Sequence, residues 1–87
     1  MLNTITIGDV KLKIGAWCKQ KRQINELSQE DLAAILNMSR ITIQKLESGK
    51  NVTLDTLLKV ANHFDMLETI YQNLEKSIQD NDLNSLY

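Results

Sequence analysis

This 87-residue chain predicts an all-α fold of five short helices. Three observations carry that expectation. There is no proline and there are only three glycines, so little breaks a helix. Apolar residues recur three and four apart along most of the chain. Ser or Thr stands before several of these runs, where a side-chain oxygen can cap the first free amides of a helix. At this length the chain is one domain, near the low end of what buries its own core.

The elements follow in order. Asn3-Thr4-Ile5-Thr6-Ile7 alternates polar and β-branched residues and reads as a short strand, either frayed or paired with another chain. Gly8-Asp9 ends it, with Asp9 as the cap of a first helix from Val10 to Gln23. Ile14 and Cys18 share a face of that helix, and Trp17 is either core or a contact with the fifth helix or another subunit. Ser28 caps a second helix whose buried face is Leu32, Ala33, Ile35 and Leu36. Asn37 tolerates the left-handed conformation that ends it sharply. Ser39 caps a third helix that buries Ile43 and Leu46, and Gly49 ends it at positive φ. Thr53 caps a fourth helix, Leu54 to Phe64, with core positions Leu54, Leu57, Leu58, Ala61 and Phe64. A fifth, Met66 to Ile78, carries Leu67, Ile70, Tyr71, Leu74 and Ile78 on one stripe. The expected organisation is an N-terminal segment (1–9), a helical domain (10–65), a fifth helix (66–79) and a flexible tail (80–87).

Composition narrows the function. One cysteine, Cys18, precludes an internal disulfide, and with one distant histidine, His63, it supplies no zinc site. His63 reads as a cap at a helix C-terminus and Cys18 as a small buried hydrophobe. No nucleophile–base set, carboxylate pair or Gly-rich phosphate loop is visible, so neither an enzyme nor a cofactor is expected. No apolar run has the length of a membrane span and no signal peptide is evident, so a cytoplasmic protein is expected. The net charge of −1 hides an asymmetry. Residues 11–59 hold nine Lys/Arg against five Asp/Glu, and residues 60–87 hold one Lys against five acids. A basic body with an acidic tail suits DNA on one face and something else at the C-terminus.

Burial of Ile43 and Leu46 leaves Arg40, Ile41, Gln44 and Lys45 exposed on the third helix. That is the layout of a helix-turn-helix, whose second helix enters the DNA major groove. The chain resembles the Cro/CI-type helix-turn-helix regulators (the XRE, or lambda repressor-like, family). The resemblance rests on Leu27-Ser28-Gln29, Leu32-Ala33, Ser39, Ile43, Leu46-Glu47-Ser48-Gly49-Lys50 and Thr53 to Ala61, with Ile14-Gly15 and Lys21-Arg22 upstream. It departs from the pattern at Asn37 for glycine, Met38 for valine and Trp17 for a smaller aliphatic residue.

The resemblance implies roles. Ser39, Arg40, Ile41, Gln44 and Lys45 would face base edges: Arg40 to guanine, Gln44 to adenine, Ile41 to a thymine methyl. Gln29, Thr42, Ser48, Lys50 and Asn51 would contact phosphates. Arg22 and Glu47 would form a structural pair between the first and third helices. The implied function is a dimeric repressor of a palindromic operator, dimerising through the fifth-helix stripe or the Ile5–Ile7 strand. Two alternatives stand beside it. One is a HipB-like antitoxin that represses its own operon and binds a kinase-type toxin; the other is a protein-interaction module that does not bind DNA.

Overall fold

A computed structural model describes the backbone of residues 4–85 and the side chains of residues 4–80. The five helices are α1 (Ile7–Ile24), α2 (Gln29–Ile35), α3 (Arg40–Glu47), α4 (Leu54–His63) and α5 (Leu67–Ser85). Both α1 and α2 pack on α3, and α4 leads into α5.

The helix starts follow local chemistry. Thr6 Oγ1 accepts from the Asp9 amide at 3.0 Å while Asp9 Oδ2 accepts from the Thr6 amide at 3.0 Å, a reciprocal capping box. Ser28 and Asp31 repeat it at α2, at 2.9 and 3.1 Å. Ser39 and Thr53 cap α3 and α4 by accepting from Thr42 and Thr56 amides.

The first box corrects the expected strand. Thr6 is the helix cap and Ile7 the first helical residue, so among the described residues 4–7 there is no strand; Asn3 lies outside them. Asp9, expected as the cap, is instead the third residue of α1, and its carboxylate completes the box.

The helix ends share one device. α1 to α4 each finish with a residue at positive φ: Glu26 (57°), Asn37 (56°), Gly49 (76°) and Asp65 (58°). The next amide then reaches back five residues, Leu27 to the Arg22 carbonyl, Met38 to Ala33, Lys50 to Lys45 and Met66 to Ala61. These are Schellman closures, which satisfy carbonyls the helix leaves free. Leu27, Met38 and Met66 follow the turn as apolar plugs packed on the core. Asn37 and Gly49 were legible as such positions; Glu26 and Asp65 were not, because acidic side chains adopt this conformation at a cost.

The core gathers Cys18, Leu32, Ala33, Ile43, Leu46, Val60, Ala61, Phe64 and Met66, with Ile14, Trp17 and Leu57 packed around it. Three expectations change. Ile35 is exposed, and Leu36 closes that face only half-buried. Leu54 is 70% exposed and Val60 takes its place in the core. α5 continues through Ser85, into the segment read as a tail, and its residues 71–80 are all exposed.

Gly15 sets how closely α1 approaches α3. A methyl built there would lie 2.5 Å from the Glu47 carbonyl oxygen and 2.6 Å from that of Leu46. Only a residue without Cβ permits that approach.

Candidate nucleic-acid interface

α3 is held from beneath and open above. Ile43 and Leu46 are buried; Arg40, Ile41, Gln44 and Lys45 are exposed. Ile41 is 61% exposed, so it contributes little to the core and remains open to an outside contact. Among the described residues the ion pairs are Arg22–Glu47 and Lys59–Asp55, so no carboxylate neutralises Arg40 or Lys45. The outward face of α3 therefore offers cationic and amide donors around one apolar side chain.

The expected site residues fall into three groups. Ile41, Gln44, Lys45, Ser48 and Lys50 line one cleft of about 310 Å³. Thr42, Lys45 and Asn51 line a neighbouring one of about 200 Å³ with Val52, Thr53 and Thr56. Gln29 stands apart with Arg22 and Glu47. Two hydroxyls are already engaged at the start of α3, where Ser39 Oγ and Thr42 Oγ1 lie 2.9 Å apart. At its end Ser48 Oγ donates to the Gln44 carbonyl at 2.8 Å. In the Ser39–Thr42 pair one hydroxyl donates to the other, so the accepting one keeps a hydrogen it can offer outward, whereas Ser48 can donate elsewhere only by giving up its bond.

Arg22 and Glu47 make a bidentate pair. Nε donates to Oε2 at 2.6 Å and Nη2 to Oε1 at 2.8 Å, with side chains 9% and 4% exposed. Arg22 Nη1 also donates to the Leu27 carbonyl at 2.8 Å, so one guanidinium joins α1, the turn before α2, and α3. Such planar fork-to-fork bonding explains why arginine rather than lysine stands here. The hydrogen bonds with Glu47 raise the Arg22 pKa, against the opposing effect of burial. Gln29 Nε2 donates to Glu47 Oε1 at 3.1 Å, which ties the start of α2 into the same network. Among the described residues its second amide hydrogen has no partner, which leaves it available to a phosphate at the edge.

Cys18 lies beneath this pair. Burial, and then the negative charge of Glu47, push its thiol up to about 11. It is a neutral packing residue at ordinary pH. His63 closes α4 and meets Phe64 edge-to-face, ring centres 4.9 Å apart.

One contact was not anticipated. Lys11 Nζ donates to Asn51 Oδ1, joining the start of α1 to the loop after α3. A signal for it exists in the sequence. Lys11, Gly15, Cys18 and Arg22 recur at the spacing of one helix face, and the last three are buried on the α3 side.

Among the described residues no acidic, cysteine or histidine cluster could hold a metal ion, and no helix is long and apolar enough to cross a membrane. A protein-family model described as helix-turn-helix matches residues 19–71, more than half of the chain. None of the curated proteins compared matches it.

Proposed function

The chain belongs to the Cro/CI-type helix-turn-helix family of DNA-binding regulators, and from that premise we propose that it is a sequence-specific transcriptional repressor acting as a dimer on a palindromic operator. The observation that carries this reading is α3, with Ile43 and Leu46 buried and Arg40, Ile41, Gln44 and Lys45 presented together, no carboxylate among the described residues pairing with Arg40 or Lys45. A helix so presented fits the major groove, where arginine reads guanine, glutamine reads adenine and an apolar side chain reads the thymine methyl. Gln29, Thr42, Ser48, Lys50 and Asn51 supply the flanking phosphate contacts, with Gln29 positioned through Glu47.

Dimerisation is assigned to α5. Leu67, Tyr71, Leu74 and Ile78 alternate four and three apart, and the last three are 66%, 59% and 57% exposed, a stripe the monomer leaves unburied. A dimer places two recognition helices on successive half-sites about one DNA turn apart. The second reading, an autorepressing antitoxin, rests on the same stripe, occupied by a toxin rather than a second copy.

The test is binding to the DNA upstream of the chain's own gene, by wild type, Arg40→Ala and Gln44→Ala at two salt concentrations. Each substitution should relax discrimination at one base position by about 1–3 kcal/mol. Unchanged preference in both variants overturns the recognition-helix assignment, and salt-insensitive binding overturns the DNA reading. Light scattering of the Leu74→Asp and Ile78→Asp variants tests the dimer face; a wild-type monomer at high concentration refutes it.

A further inference from the structure

We propose that Lys11, together with Lys50 and Asn51, forms a clamp for one phosphate of the DNA backbone, so that α1 is part of the nucleic-acid interface. The inference rests on the DNA-binding reading above. It adds a residue from outside the helix-turn-helix.

Lys11 and Lys50 line the same cleft of about 250 Å³, floored by Ile14, Leu46, Val52 and Leu57. Asn51, bonded to Lys11 and next to Lys50 in the chain, lines the neighbouring cleft. With Asn51 Oδ1 occupied by Lys11, the amide turns its two Nδ2 hydrogens away from the lysine. The edge therefore presents ammonium and amide donors, with one lone pair of Asn51 Oδ1 already taken by Lys11. No carboxylate pairs with either lysine among the described residues. A lysine normally gains more from a carboxylate than from a neutral amide. Here an uncompensated charge is held half-buried over an apolar floor, where it acts more strongly on an anion than a freely moving surface lysine does. The bond to Asn51 also restricts the lysine before binding, which lowers the ordering cost when a ligand arrives. Tetrahedral oxyanions with several acceptor lone pairs match this donor set. Asn51 and Lys50 follow directly on the end of α3, so the anion that meets them while α3 lies in a groove is a backbone phosphate.

Phosphate chemistry alone is shared by DNA and free inorganic phosphate, so the experiment has an arm for each. Wild type, Lys11→Met, Lys11→Arg and Arg40→Ala are titrated with the upstream duplex and with a scrambled duplex across a salt series. Lys11→Met keeps the apolar stem and removes the charge. It should weaken binding to both duplexes by the same factor. It should also lower the slope of log affinity against log salt by about 0.9, so that from about 50 to 200 mM salt wild type loses about 3.5-fold more affinity than the variant. Lys11→Arg should restore the slope. Amide spectra of the Asn51 side chain should shift with duplex and not with inorganic phosphate at matched ionic strength. An unchanged slope in Lys11→Met, with a melting temperature matching wild type, overturns the proposal. Saturable binding of inorganic phosphate without a slope change overturns its assignment to DNA. If Arg40→Ala alters preference while Lys11→Met leaves the slope intact, only this inference fails; if wild type binds no duplex, the functional reading fails first.

Discussion

Replacing Gly15 by alanine sets two effects of opposite sign against each other. Gly15 lies in the interior of α1, where alanine is favoured over glycine by about 1 kcal/mol. Helix propensity alone therefore predicts a more stable protein. Packing predicts the reverse, because the added methyl would sit 2.5 Å from the Glu47 carbonyl oxygen, 2.6 Å from that of Leu46 and 2.8 Å from the Glu47 carbonyl carbon. All three atoms are backbone, so no rotamer change relieves the clash; α1 and α3 must separate. Forced overpacking of this severity costs about 3 kcal/mol, the upper part of the usual range. The net loss is about 2 kcal/mol, or a melting temperature lowered by about 8–16 °C for a domain of this size. Gly8→Ala is the internal control. Its methyl would meet only Thr6 Oγ1, at 3.6 Å, an ordinary contact, so it should be neutral or stabilising by up to about 1 kcal/mol. Thermal and urea unfolding followed by circular dichroism measure both. A Gly15→Ala protein that melts at or above wild type shows that the α1–α3 approach is not close, and the steric account is then wrong.

Two further outcomes follow from the network beneath α3. Arg22→Met leaves Glu47 buried without its partner and the Leu27 carbonyl without its donor, and urea unfolding should register a loss of about 3–5 kcal/mol. The double variant Arg22→Met/Glu47→Leu should recover most of that loss; a double variant as unstable as the single refutes the buried-charge explanation. Cys18, with its thiol pushed up to about 11, should be alkylated at pH 8 about 100-fold more slowly in the native protein than in denaturant, from thiolate population alone. A native rate within tenfold of the denatured one contradicts the buried position.

Much of the candidate site could be read along the chain because its logic is local. Ser28, Ser39 and Thr53 announce helix starts through bonds to amides three residues away, and Asn37 and Gly49 mark ends through their own backbone freedom. Burial of Ile43 and Leu46, three apart, forces Arg40, Ile41, Gln44 and Lys45 outward whatever the rest of the fold does. The misses have local and distant causes. Asn3 to Ile7 read as strand by side-chain type, but a Thr-x-x-Asp spacing at Thr6 and Asp9 made a capping box that starts α1 at Ile7 instead. Leu54 was given the core position that belongs to Val60, because the helical spacing of α4 admits either face until its neighbours choose one.

Helix number, the starts of α2 to α4 and the identity of the presented face thus followed from residues within a turn or two of one another. The pairing of distant elements did not, apart from Arg22 with Glu47, which the family resemblance implied. Spacing puts Lys11 and Gly15 on the same face of α1 as Cys18 and Arg22, but nothing along the chain says that Gly15 lies under the last turn of α3, that Gln29 leans on Glu47, or that Asn51 is what Lys11 meets. Those contacts join residues far apart in sequence, and they exist because Arg22 and Glu47 lock α1 against α3 once both are packed on the common core. Local hydrogen bonds chose which side chains face outward; the docking of α1 decided which of them stand together as a surface.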